Sequence, residues 1–319
     1  MQRNNRLNKI EKNSVLHTLL GEPTIAKSSG FAFSLATVLP VFFSLIFLIV
    51  ALAVAGENAQ GQEWYAYANF LMPQCSFALV LFCYLQYKGE SVKGAICTQK
   101  CDKKYYFLAI VLQFGLFFLS ELNGLFLEFL KKFGYQDSGI ILPSMEGFGF
   151  VGVLVTVALL PAIFEECMFR GALLKGLRAF GKTGAVLLCG GLFALYHQNP
   201  AQTLYQFCCG VAFALVALRA GSVLPTILAH FINNAVVLTL TKFGVSSFAP
   251  FLDTILWIAS PLALVGVIVY LTVFDKNKGL IVESEEGQEK QERKHFFLYA
   301  SVGIAVCAFT WLAVLFKGM

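Results

Sequence analysis

Charge is what this chain has least of. Only 13% of its 319 residues are Asp, Glu, Lys or Arg, against about 25% in soluble domains. That shortage excludes an ordinary water-soluble globule, since hydrophobic residues reach 57% and mean hydropathy is +0.70. No basic patch of the kind that grips nucleic acid is present: the formal net charge of +5 comes from residues in connecting segments, where lysine and arginine set membrane topology. No HExxH pairing of a metalloprotease helix occurs. No internal repeat is apparent either, which weakens a transporter reading. Cysteine is not scarce, with nine in the chain, but Cys75, Cys83, Cys167, Cys189, Cys208, Cys209 and Cys307 lie in apolar sequence, where a thiol acts as a small hydrophobe. Only Cys97 and Cys101 sit in a polar loop. With no second thiol pair or histidine nearby, they are expected to be free thiols facing a reducing cytosol.

What fills the chain is a series of membrane-length apolar runs, which predicts an all-α, polytopic transmembrane helix bundle of about nine spans. A basic arm over 1–30, expected to be cytosolic, precedes three accessory spans and their loops over 31–147. A core with an eighth span comes next over 148–274, then a charged cytosolic loop over 275–295 and a last span over 296–319. Arg170 to Phe180 alternates basic and apolar residues like an interfacial helix. Between the fifth and sixth runs stands the polar stretch HQNPAQT, and polar backbone at membrane depth is tolerated where it lines a cavity. With the N-terminus inside, all but Lys131, Lys132, Lys242 and Lys317 of the 24 basic residues fall in inner segments, as the positive-inside rule asks.

The chain is organised around Leu159 to Gly171, LLPAIFEECMFRG. Ionisable residues inside a span are costly and functional by default, and here Glu165, Glu166 and Arg170 fall within six residues. Glu166 and Arg170 share a helix face at i and i+4, while Glu165 points about 100° away. One glutamate is therefore neutralised by its own helix and the other stays available. Taken alone, the stretch is explained equally well by a buried structural ion pair and a glutamate bonded to a neighbouring helix. Glu121, in the third span, is a further intramembrane carboxylate with no matched partner nearby in sequence. Two more spans carry His197, in FALYH, and His230, in HFINN, where His230 and Asn234 share a face and Asn233 aligns less well. Each would need its own buried partner unless they serve one another. His197 reads as deeper in the bilayer than His230, so a shared site requires tilt, a late entrance of the fifth helix or a conical cavity.

In this order and spacing, EExxxR over Glu165–Arg170, FxxxH over Phe193–His197 and HxxxN over His230–Asn234 resemble the CPBP family of intramembrane proteases. That family includes CAAX prenyl endopeptidases and bacterial bacteriocin-processing and immunity proteins. The likeness covers about Val151 to Leu240. It implies a protease core in the fourth to seventh spans, a bacterial plasma membrane as location, and a membrane-associated peptide or protein as substrate. It implies too that Glu165 acts as general base on a water that His197 helps to hold, that His230 and Asn234 stabilise the oxyanion, and that Glu166 with Arg170 fixes the geometry. No cofactor is required by this scheme, yet a divalent metal such as zinc stays open, because Glu165, His197 and His230 match a zinc ligand set in residue type. Two other readings stand beside the protease: a non-catalytic scaffold or immunity protein that binds a peptide on the same fold, and a transporter using the carboxylates as ion relays.

Overall fold

The computed structural model describes residues 24–88, 91–137, 139–245, 249–277, 279 and 288–319. Residues 1–23 of the basic arm, and 278 and 280–287 of the charged loop, lie outside the described residues. Among the described residues every regular element is helical. The order is α1 (Ile25–Ala55), α2 (Glu63–Lys88), the short α3 (Val92–Ala95), α4 (Lys104–Leu116) and α5 (Leu119–Lys131). A long interrupted helix comes next, made of α6 (Gly149–Val153), a π turn (Leu154–Leu159), α7 (Leu160–Glu166), a second π turn (Cys167–Leu173) and α8 (Leu174–Leu177). Then come α9 (Gly181–Tyr196), α10 (Thr203–Ala220), α11 (Leu224–Lys242), α12 (Pro250–Val269) and α13 (Gln288–Gly318).

Eight helical runs among the described residues are long and apolar enough to cross a membrane. One of them, Gly149–Tyr196, has 48 residues, far more than the roughly 20 a bilayer needs. It doubles back at Gly181, whose φ of 72° is open to glycine at little cost. Outward faces carry large apolar side chains such as Phe82, Phe107, Phe251, Leu262 and Phe309, as lipid contact demands.

Two boundaries differ from the hydropathy pattern. The first helix begins at Ile25, where Thr24 caps it by accepting from the Lys27 amide at 3.3 Å. The last begins at Gln288, because an Arg293–Glu289 pair at 2.7 Å extends the helix beyond its apolar run. These two helices lie along each other. Ser34 Oγ donates to Tyr299 O at 2.6 Å and accepts from Gly303 N at 3.1 Å, so small residues bring the backbones together. A third difference concerns Arg170 to Leu174, expected at the interface. These residues continue the helix into the bundle and are all buried, because Arg170 has a partner inside.

The α9–α10 pair crosses closely enough that glycine is required. A Cβ on Gly190 would stand 2.7 Å from Val211 N, and one on Gly210 would stand 2.7 Å from Gly190 Cα. This crossing leaves the Gly210 carbonyl reachable by Arg170, whose Nη2 donates to it at 3.4 Å.

The loops at one end of the bundle are tied to one another. Lys104 Nζ and Tyr105 OH bond the Asp275 carboxylate at 3.0 and 2.7 Å, and Arg219 Nη1 donates to Asp275 O at 3.2 Å. Gln99 bonds Gly221 O, Lys175 bonds Gly94 O, and Arg293 Nε reaches Ala179 O at 2.6 Å. Asp275 lies just past the α12 span. Burial alone would raise its carboxyl, but the hydrogen bonds from Tyr105 and Lys104 hold it below the usual aspartate value. The opposite end is joined differently: Gln136 N donates to Gly318 O at 2.8 Å, and Lys242 bonds Met145 O.

Candidate active site

The buried centre of the bundle is an ion pair. Glu166 and Arg170 are both 0% exposed, and one helical turn brings Arg170 Nη1 to Glu166 Oε1 at 2.8 Å. The guanidinium also lies over the Phe193 ring, 4.1 Å from its centroid, a cation–π contact strengthened by the dry setting. A third span joins through His230, whose Nδ1 stands 2.9 Å from the same Glu166 oxygen. A carboxylate only accepts, so Nδ1 carries the proton and Nε2 is left facing away. His197 resolves in the same manner. Its Nδ1 lies 2.8 Å from Phe193 O, a carbonyl that can only accept, so the ring presents Nε2 to its surroundings.

Those surroundings are a cavity of about 1910 Å³, larger than the roughly 300–1,000 Å³ of common ligand pockets. Glu165, His197, His230 and Asn234 all line it, while Glu166 and Arg170 stand behind its wall. The i, i+4 geometry thus sends Glu166 into the core and leaves Glu165 on the cavity side. Glu165 is 8% exposed and its Oε2 has no hydrogen-bond partner. Buried polar atoms are normally satisfied, so this oxygen keeps spare acceptor capacity in the cavity wall.

The two histidines come to one depth: both rings pack on Phe193, His197 at 4.7 Å and His230 at 6.2 Å between centroids, and His197 caps α9 rather than lying inside it. Beyond it the HQNPAQT break turns, with Gln198 at φ 52°. Its backbone is satisfied by side chains: Asn199 Oδ1 accepts from Ala201 N at 2.8 Å, and Asn123 Nδ2 donates to Ala201 O at 2.9 Å. The break lines the cavity with His197, Gln198, Asn199 and Gln202. Glu121 lines it as well.

Several polar residues join the site without any motif marking them. Asn234 Nδ2 donates to Val157 O at 3.2 Å and Asn234 Oδ1 accepts from Asn233 Nδ2 at 2.9 Å. Asn233 Oδ1 in turn accepts from Gln113 Nε2 at 2.8 Å and Tyr205 OH at 2.7 Å. This chain of amides polarises in one direction and fixes Asn234. Helical spacing aligns Asn233 poorly with His230, but it says nothing about partners on α4 and α10. Gln74, from α2, is buried, lines the cavity and leaves its own Oε1 unbonded. The available signal was its polarity within an apolar span.

The metal alternative finds no ready ligand set. Among the described residues no three His, Cys, Asp or Glu side chains are grouped so as to hold a metal ion. Both histidines have Nδ1 on an acceptor, the arrangement that leaves Nε2 for a ligand.

A sequence model of the family described as type II CAAX prenyl endopeptidase Rce1-like matches residues 147–236. That segment holds all three motifs, and the match agrees with the resemblance drawn from them. It supports an intramembrane endopeptidase in general, and with the apolar helices an integral multi-pass membrane protein. No curated protein and no solved structure matches the chain significantly.

Proposed function

We propose that this chain, with its 147–236 segment in the CAAX endopeptidase family, hydrolyses a peptide bond of a membrane-associated peptide or protein using water activated by Glu165. The observation that carries the reading is the carboxylate in the cavity wall: Glu165 is buried, its Oε2 has no hydrogen-bond partner, and it lines the same cavity as His197, whose Nδ1 is held by Phe193 O. A water held between the two loses a proton to Glu165 as its oxygen attacks the peptide carbonyl carbon. The oxyanion that forms is met by an Asn234 N–H and by His230. His230 donates through Nε2 only when both ring nitrogens carry protons. Collapse of the tetrahedral intermediate breaks the C–N bond as Glu165 returns its proton to the leaving amine. Arg170 and Glu166 stand behind the cavity wall and fix the position of His230 through its Nδ1.

The test is cleavage of a quenched membrane peptide by the full chain in proteoliposomes. Glu165→Gln keeps the shape and removes the base, so cleavage should vanish with the fold intact. Retained cleavage overturns the mechanism. Chelator treatment should leave the rate unchanged. A non-catalytic peptide-binding or immunity role on the same fold is the competing reading, and it requires Glu165→Gln to keep the cellular phenotype.

We propose that the N-terminus faces the cytosol, a reading the distribution of basic residues supports. A cysteine-accessibility map of the 88–104 and 131–148 segments checks that orientation.

A further inference from the structure

The cavity has a charge of one sign. Besides Glu165 it is lined by Glu121, Asp137 and Asp253, and no lysine or arginine lines it among the described residues. Two of the four lysines at that end are engaged elsewhere: Lys131 pairs with Glu128 at 2.7 Å, and Lys242 bonds Met145 O and lies over the Phe150 ring; Lys132 and Lys317 do not line the cavity. The three added carboxylates sit in the half of the bundle away from the tied basic loops. Asp137 comes after α5, Asp253 begins α12, and Glu121 lies past the middle of the α4–α5 span. None of the segments that bind one another at the basic end, 91–103, 175–183 or 275–279, contributes to the lining. Among the described residues the carboxylates that line the cavity, apart from Glu165, therefore lie toward the acidic end.

Its walls are apolar, with Val41, Leu45 and Leu48 from α1 and Trp257 from α12. Among its lining residues two buried acceptors, Glu165 Oε2 and Gln74 Oε1, have no donor. A ligand matching these features is apolar along its length, supplies N–H donors to these acceptors and carries positive charge at the mouth. We propose that the cavity selects polypeptide segments that are apolar within the membrane and bear lysine or arginine at the end standing in the mouth, and that such segments approach from the side opposite the basic loops. A cleft of one sign with low-dielectric walls focuses its field and concentrates the matching ligand, by about tenfold or more, in a salt-dependent way. This names the substrate class of the site and rests on the endopeptidase reading only for the cleavage step that comes after binding.

Binding is measured on the full chain in nanodiscs of zwitterionic lipid with two labelled peptides. Each has an apolar stretch of about 20 residues, ending in three lysines in one and three glutamates in the other. The lysine peptide should bind about tenfold tighter at low ionic strength, with the margin shrinking as salt is added. The combined variant Glu121→Gln, Asp137→Asn, Asp253→Asn should erase the margin. The pair Glu121→Gln and Asp137→Asn, both exposed, serves if the α12 change disturbs folding, and should at least halve it. Equal binding of the two peptides, no binding of either, or a preference that survives the variants overturns the proposal. If the bound lysine peptide is never hydrolysed by the parent protein, the endopeptidase reading falls and the charge selection stands.

Discussion

The two ends of this bundle are built to opposite plans. At one, lysines and arginines from α4, α8, α10 and α13 bond carbonyls and the Asp275 carboxylate across the helix ends, and none of these residues lines the cavity. At the other, Glu121, Asp137 and Asp253 rim a cavity and, among the described residues, no cation lies within it. Both ends are rich in polar groups; at one they close the helix ends and at the other they line the cavity. The buried Glu166–Arg170–His230 set lies between them, with Glu165 on the cavity side. Closure at one end makes the bundle rigid, and the cavity at the other gives that rigid frame something to act on.

The sharpest way to break this contrast is at the junction. Glu165→Gln removes the buried carboxylate that lines the cavity, and peptide cleavage should drop to background, a loss of at least about a hundredfold as for a removed general base. Next comes the wall behind it. Arg170→Met leaves Glu166 buried without its ion partner, and loss of one member of such a pair destabilises by about 3–5 kcal/mol; a thermal melt in detergent should show it, with cleavage lost alongside. Gly190→Ala forces α9 from α10 and should destabilise by about 1–3 kcal/mol, again read as a melting shift. The smallest effect belongs to the closed end. Asp275→Asn loosens a bond to the partly exposed Lys104 and should change stability by about 1 kcal/mol or less, with cleavage unaltered. Because the folded Asp275 carboxyl titrates below its unfolded value of about 3.9, its stabilisation is full above that pH and disappears as pH falls through the folded value. The asparagine variant should lose that acid sensitivity.

The helical bundle and the three motif segments were legible in sequence because each rests on a local rule: apolar length for spans, i, i+4 spacing for Glu166–Arg170 and for His230–Asn234. The HQNPAQT break was marked too, since polar backbone in a span has few uses. Illegible were the partners that span-to-span packing supplies. Nothing local tells that His230 turns to Glu166, that Gln113 and Tyr205 converge on Asn233, or that Gln74 from α2 lines the cavity. The helix limits at Ile25 and Gln288 escape hydropathy for a related reason, because capping and ion pairing carry helices past the apolar runs that reveal them. Arg170 looks amphipathic from its neighbours and is interior because Gly210 and Phe193 receive it.

Helix α13 carries a consequence for how the chain comes into being. Trp311 Nε1 donates at 2.8 Å to Thr203 Oγ1, beside the turn after His197, and the same helix lies along α1. A segment made late in synthesis thus clasps one made early and steadies the turn next to the histidine. A nascent chain lacks that clasp until α13 has left the ribosome, so the motif-bearing helices are in the membrane well before the element that braces them arrives.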